Sequence, residues 1–252
     1  MLKSNEIILE LKEVDKSFGG LLAVNKVNLS VSKGELRSLI GPNGAGKTTI
    51  LNLINGTLPV SGGHIFFKEK EITNLSPHRI SHIGIARTLQ ITSLFSGLTV
   101  YENIWAAVQS RKKFFNPFIR SSKWEDVREK TESMLELTGL KDKAHLICSE
   151  LSYGEQRILE MGIALGTEPD LLLLDEPTAG LNSQESMALV KKMRSMLSGQ
   201  TIILVEHDMG VVMELADNIS VLHYGSILAE GPPDEIQKNE EVKRVYLGSE
   251  HA

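Results

Sequence analysis

The chain has 252 residues, 41% of them hydrophobic, and its 27 Lys and Arg against 32 Asp and Glu give a formal charge of −5. That length fits one large domain, or one domain with an insertion, and excludes a miniature scaffold that needs staples. The acidic balance offers no basic stripe for nucleic acid, and the single cysteine, Cys148, has no intramolecular partner, which points to a reducing compartment.

Taken in chain order, MLKSNEIILELKEVD is broken by charges where a secretory signal needs a continuous apolar core. The segments IILELKEVDKSF and AVNKVNLSVSKGE alternate apolar with polar residues, which predicts short antiparallel edge strands and a turn at Lys33 and Gly34. LRSLI then reads as a buried strand that ends at the glycine-rich loop of LIGPNGAGKTT, and the helical periodicity of GKTTILNLI runs to a stop at Asn55 and Gly56. From about residue 98 to 147 the texture turns helical, with TVYENIWAAVQSRKKFF and KWEDVREKTESMLELTGL separated by NPFIRSS. The expected organisation is one domain over 1–252, with a nucleotide-binding core at about 1–97 and 148–252 and an inserted helical lobe at about 98–147.

Beyond the lobe, helices GEQRILEMGIALGT, NSQESMALVKKMRSML and MGVVMELA alternate with strands LLLLDEP, TIILVEHD, ISVLHY and SILAEG. Strands separated by helices imply right-handed crossovers and a mainly parallel sheet, so the expected class is α/β. The apolar run at 171–174 is far shorter than the about 20 residues that span a bilayer. A cytoplasmic location is expected, with any membrane attachment supplied by other chains.

Three motifs carry chemistry. Gly41, Gly46, Lys47 and Thr48 complete GxxxxGK[ST], in which backbone N–H groups and a helix N-terminus face phosphates, Lys47 reaches the β- and γ-phosphates and the Thr48 hydroxyl meets Mg2+. LLLLDEP brings Asp175 and Glu176 to the carboxyl end of an apolar strand, the edge where doubly wound sheets bind ligands. Asp175 suits Mg2+ and Glu176 suits a general base for water, against the plainer reading of a solvated strand end. LSYGEQ opens a helix with Ser152 and Gly154, either an ordinary Ser N-cap or a second anion site.

GPNGAGKTT, Gln90 in RTLQ, LSYGEQ, LLLLDEP, AGLN and VEHD follow one another as in ATP-binding-cassette ATPases, which nearly the whole chain resembles. The resemblance implies a P-loop NTPase with a mixed, mainly parallel central sheet, an antiparallel N-terminal β-subdomain and an inserted helical subdomain. It further implies Mg-ATP held by Gly41, Pro42, Asn43, Gly44, Ala45, Gly46, Lys47, Thr48 and Thr49, with Phe18 stacked on adenine, Gln90 linking Mg2+ to the lobe and His207 contacting the γ-phosphate. Catalysis then falls to Glu176, His207 and Gln90, and the metal to Thr48, Gln90 and Asp175. A head-to-tail dimer follows from the same likeness, in which Ser152, Gly154 and Glu155 of one subunit close over ATP on the other while Asn182 lies in the loop that crosses between them. Taken singly, His207 also reads as a structural histidine, Phe18 as core and Gln90 as surface.

Two positions depart from the family pattern: Tyr153 replaces a glycine and Asn182 an aspartate. Tyr153 is expected to leave the N–H groups of Gly154 and Glu155 free, and Asn182 to alter communication between sites. The aromatics Trp105, Phe114, Phe115, Phe118 and Trp124 read as packing for the lobe, or as a groove for a helix of a membrane partner.

Three uses of the ATP remain open at this point: a transporter motor, a soluble non-transport ATPase, or another P-loop enzyme such as a kinase. A single cassette without a basic tract disfavours the second and the signature helix disfavours the third. KSFGGLLAVNKVNLSV, EHDM and the tail EVKRVYLG resemble ATPases of branched-chain amino-acid importers and urea importers, and the tail also that of lipopolysaccharide export. The importer is the expected class, with transmembrane permeases, a second ATPase subunit of the same or a sister chain and, indirectly, an extracytoplasmic solute-binding protein as partners. Such a chain sits on the inner face of the membrane through its permeases.

Overall fold

The computed structural model describes residues 6–88, 94–110 and 122–248, the last stretch by its backbone alone at 122–123 and 246–248. Strands β1 (Ile7–Phe18) and β2 (Leu21–Ser32) form a long antiparallel hairpin through Gly19 and Gly20. Each strand has 12 residues, longer than its alternation predicts. The cause is local: Glu13 and Lys26 take positive φ, and the register shifts between Leu11 and Val14, so a bulge resets the inward-facing phase mid-strand.

β3 (Leu36–Ile40) leads through the glycine loop into α1 (Lys47–Ile54), whose Ile50, Leu51, Leu53 and Ile54 are buried. β4 (Gly62–Phe67) and β5 (Lys70–Glu71) then return to the hairpin and complete a four-stranded antiparallel sheet in the order β2-β1-β4-β5. α2 (Pro77–Ile83) and β6 (Ile85–Arg87) follow. The helical stretch contains α3 (Val100–Ser110) and α4 (Ser122–Thr138), which pack with Leu159 through Val100, Ile104, Val108, Val127 and Leu135. Trp105 packs against that cluster and stacks on the exposed Trp124 at 5.7 Å; Phe114, Phe115 and Phe118 lie outside the described residues.

Next come α5 (Tyr153–Gly166), β7 (Leu171–Asp175), α6 (Ser183–Met196), β8 (Ile202–Val205), α7 (Met209–Leu215), β9 (Asn218–His223) and β10 (Ser226–Gly231), and the chain closes on α8 (Pro233–Lys238) and α9 (Glu240–Gly248). The second sheet runs β10-β9-β3-β8-β7-β6, parallel throughout except for β10. Its central strands are buried on both faces, which is why LLLL is continuous rather than alternating. Leu171 and Leu173 join the cluster around α1, while Leu172 and Leu174 join the one around α5 and α6. The order places the carboxyl ends of β3, β8 and β7 side by side, and the site is built there.

Candidate functional site

The loop from 41 to 46 is held in a shape that side chains forbid. Gly41 has φ +150°, and a Cβ there would sit 2.2 Å from the Leu222 carbonyl oxygen; at Gly46, φ +102°, it would sit 2.6 Å from that of Ala23. At Gly44 a Cβ would meet nothing within 4 Å, so this glycine faces open space. Ala45 is buried, Pro42 and Thr49 half-buried, and Asn43, Gly44 and Thr48 exposed. The N-cap of α1 is Gly46, with no side-chain cap and no acidic residue in the first turn. The helix therefore presents its N-terminal amides and its dipole toward the loop, the arrangement that binds anions.

Lys47 is buried, and its Nζ donates to the Gly41 and Pro42 carbonyls at 2.6 and 3.0 Å. Burial lowers its pKa, opposed by the charges of Glu176 and Asp175, so both carboxylates act on this amine. Asp175, at the end of β7, accepts from Arg87 at 2.7 Å through Oδ2, and Arg87 also donates to Asn52 Oδ1 at 2.6 Å. Asp175 Oδ1 is buried and has no partner among the described residues.

Glu176 has φ +48°, a left-handed conformation unusual outside glycine, which carries strain. Its N–H donates to the Val205 carbonyl at 2.9 Å. His207 Nδ1 stands 3.8 Å from Glu176 Oε1. Between the two loops lies Glu206, fully buried; its Oε1 accepts from the Thr178 N–H and hydroxyl, and its Oε2 from the His207 N–H.

The structure thus gathers the loop 41–49, Asp175, Glu176 and His207 into one place. Phe18 is exposed at the end of β1 with Lys16 Nζ 5.0 Å from its ring centroid, so it is not core. Gln90 lies outside the described residues. Ser152 is the N-cap of α5 in a capping box: the Glu155 carboxylate accepts from its N–H and hydroxyl, and Lys143 donates to Glu155 at 2.6 Å, which lowers the Glu155 pKa. The Glu155 N–H is not free as expected, because it donates to Ser152 Oγ at 3.4 Å. A Cβ on Gly154 would meet nothing within 4 Å. Asn182 caps α6, its Oδ1 accepting from the N–H groups of Gln184 and Glu185. Tyr153, the departure from pattern, donates its hydroxyl to the Ala179 carbonyl at 3.3 Å, accepts there from Arg157, and lays its ring on Gly180.

Sequence reasoning missed Arg87, Thr178 and Glu206. Glu206 carried a signal, an acid directly continuing the apolar run IILV; Arg87 carried none.

A glycine loop, a lysine and two carboxylates at the carboxyl ends of neighbouring parallel strands define a P-loop nucleotide-binding fold. Residues 24–179 match the family model described as ABC transporter, and residues 226–252 match the one described as branched-chain amino acid ATP-binding cassette transporter. The chain is 41% identical to the high-affinity branched-chain amino acid transport ATP-binding protein BraF of Pseudomonas aeruginosa, over 96% of this chain and 98% of that one. It is 40% identical to LivG of Salmonella typhimurium, which carries the same description, over 92% and 94%. Among solved structures, an ATP-binding cassette of an ABC transporter in its ADP conformation superposes with a TM-score of 0.84 at 30% identity, covering 97% of this chain and 100% of that one. The chain belongs to the ABC transporter family as an ATP-binding subunit, and the expectation of an ABC-type ATPase is borne out.

Proposed function

We propose that this chain hydrolyses Mg-ATP on the cytoplasmic face of a membrane to drive import of branched-chain amino acids through permease subunits. The observation that carries the catalytic part is the convergence of Lys47, Asp175, Glu176 and His207 around the N-terminus of α1. The transported solute is taken from BraF and LivG and from the C-terminal match, which also favours the importer over the export alternative.

The amides of residues 41–49 and the Lys47 ammonium bind the phosphates, the lysine by charge-assisted hydrogen bonds. Glu176, partly exposed, accepts the proton of the attacking water as its oxygen bonds to the γ-phosphorus and the bond from that phosphorus to the bridging oxygen breaks, the electron pair leaving with ADP. His207 is mostly exposed beside it and donates to the phosphoryl oxygens. Mg2+ fits the donors present, because Asp175 Oδ1 is a buried oxygen without a partner among the described residues and Thr48 is exposed in the first turn of α1. With Gln90 by resemblance, these residues would hold the ion, which when bound neutralises phosphate charge. Phe18 offers its ring to adenine.

The second ATPase subunit closes over the nucleotide with Ser152, Gly154 and Glu155. Supporting this is Gly154 itself: its φ is not positive and its surroundings are open, so nothing in its own chain requires a glycine there. Residues 98–147 serve as the lobe facing the permeases, and the solute-binding protein acts on this chain only through them. No helix among the described residues is long and apolar enough to cross a membrane.

The test is Glu176→Gln, which keeps shape and removes the base. Hydrolysis is expected to fall by about two to four orders of magnitude while ATP binding survives, and light scattering should show an ATP-dependent dimer. Hydrolysis at the full rate would remove Glu176 from the mechanism. A variant that stays monomeric with ATP would argue for an obligate sister subunit.

A further inference from the structure

Glu206 is 0% exposed and has no cationic partner among the described residues. Burying a carboxylate without a counter-charge is costly, and an apolar residue of similar volume would serve the core better. What this carboxylate has instead is three donors from two different loops. Oε1 accepts from the Thr178 N–H at 3.0 Å and the Thr178 hydroxyl at 2.7 Å, and Oε2 from the His207 N–H at 3.2 Å.

Those bonds close a ring. Glu176 donates its N–H to Val205, Val205 is bonded covalently to Glu206, Glu206 accepts from Thr178, and Thr178 leads back through Pro177 to Glu176. Inside that ring is the strained φ of +48° at Glu176, and a strained backbone persists only where its surroundings over-determine it. The ring also fixes the amide of His207, whose side chain stands 3.8 Å from Glu176.

We propose that Glu206 is a positioning residue for ATP hydrolysis, its buried carboxylate tying the loop after Glu176 to the loop of His207 so that both side chains meet the γ-phosphate in a fixed relation. The proposal rests on the ATPase reading above. Glu206 touches neither nucleotide nor water; it acts through Glu176 and His207.

Glu206→Gln tests it. The amide oxygen still accepts from Thr178, but the NH2 group that replaces Oε2 opposes the His207 N–H donor-to-donor. Expected is a fall in kcat of about tenfold, with ATP-binding stoichiometry kept and KM within about twofold. Thr178→Ala, which removes one hydroxyl and leaves the carboxylate two N–H donors, should cost about threefold by the same split. Because Glu206 works through Glu176 and His207, Glu206→Gln added to the double variant Glu176→Gln, His207→Ala should lower the single-turnover rate by no more than about twofold further. A full additional loss in that background overturns the proposal, as does binding stoichiometry that falls in step with kcat, the mark of a merely structural defect. A wild-type chain that binds ATP and does not hydrolyse it would overturn the ATPase reading and the proposal with it; hydrolysis by the wild type with additive variants overturns the proposal alone.

Discussion

Arg87→Met would leave the buried Asp175 carboxylate without its hydrogen-bonded cation, with only the charge of Lys47 acting on it. The side chain of Asp175 is 0% exposed and that of Arg87 10%, and the pair closes at 2.7 Å with a second Arg87 bond to Asn52. Since Oδ1 already lacks a partner, the substitution removes the only hydrogen bond to either carboxylate oxygen among the described residues. Breaking a buried pair from one side costs about 3–5 kcal/mol where the remaining charge is uncompensated, and the Lys47 ammonium, on which the Asp175 charge also acts, sets this case at the low end of that range. For a chain of this size each kcal/mol lowers Tm by about 2–4 °C, so the midpoint should drop by about 10 °C. Methionine keeps most of the volume, which separates the charge effect from a cavity. Adding Asp175→Asn removes the stranded charge and should recover more than half of the loss, at the expense of the metal site. Calorimetry of the wild type, both single variants and the double variant measures this. A drop of less than about 2 °C in Arg87→Met, or a double variant no more stable than Arg87→Met, would refute the reasoning.

Lys47→Ala should abolish tight ATP binding by titration calorimetry while the fold persists by circular dichroism, since this amine is the mobile cation proposed for the phosphates; unchanged affinity would sink the phosphate-loop assignment. If Phe18 reads a ring face rather than a base edge, GTP should compete measurably with ATP, and an ATP preference above about a thousandfold would demonstrate an edge contact. Burial raises the pKa of the Cys148 thiol, so its thiolate fraction at neutral pH lies below that of an ordinary cysteine. Iodoacetamide should label Cys148 slowly in the native protein, faster as pH rises and fastest in urea; rapid labelling of folded protein at pH 7 would contradict that burial.

The parts legible in the sequence are those where local chemistry and tertiary structure ask for the same residue. Gly41 and Gly46 are dictated by backbone shape and by carbonyls that leave no room for a Cβ, so their spacing is visible in the chain. The leucines at 171–174 announce a strand buried on both faces, and Asp175 and Glu176 directly after them locate the reacting edge. Ser152, by contrast, shows one role and is proposed for a second that looks alike in sequence: its capping box with Glu155 is ordinary helix chemistry, and only open space at Gly154 hints at more. Arg87 was illegible because its partners, Asp175 and Asn52, are 88 and 35 residues away, and nothing local distinguishes a buried arginine from a surface one. The hairpin was read as short strands because the bulge at Glu13 breaks a period that alternation alone cannot follow.

Tyr153 gives the signature helix a property that the usual glycine cannot supply. Its hydroxyl on the Ala179 carbonyl and its ring 3.5 Å from the position of a Cβ on Gly180 brace the loop that begins at Glu176, which is otherwise turned by Ala179 N–H on Glu176 and Leu181 N–H on Thr178. A Cβ at 180 would touch the tyrosine ring at ordinary van der Waals distance, so it is the φ of +83° that asks for glycine there. Position 180 therefore asks for glycine whatever stands at 153, while a change at 153 gives up the hydroxyl bond to Ala179 and the ring contact without lifting that demand.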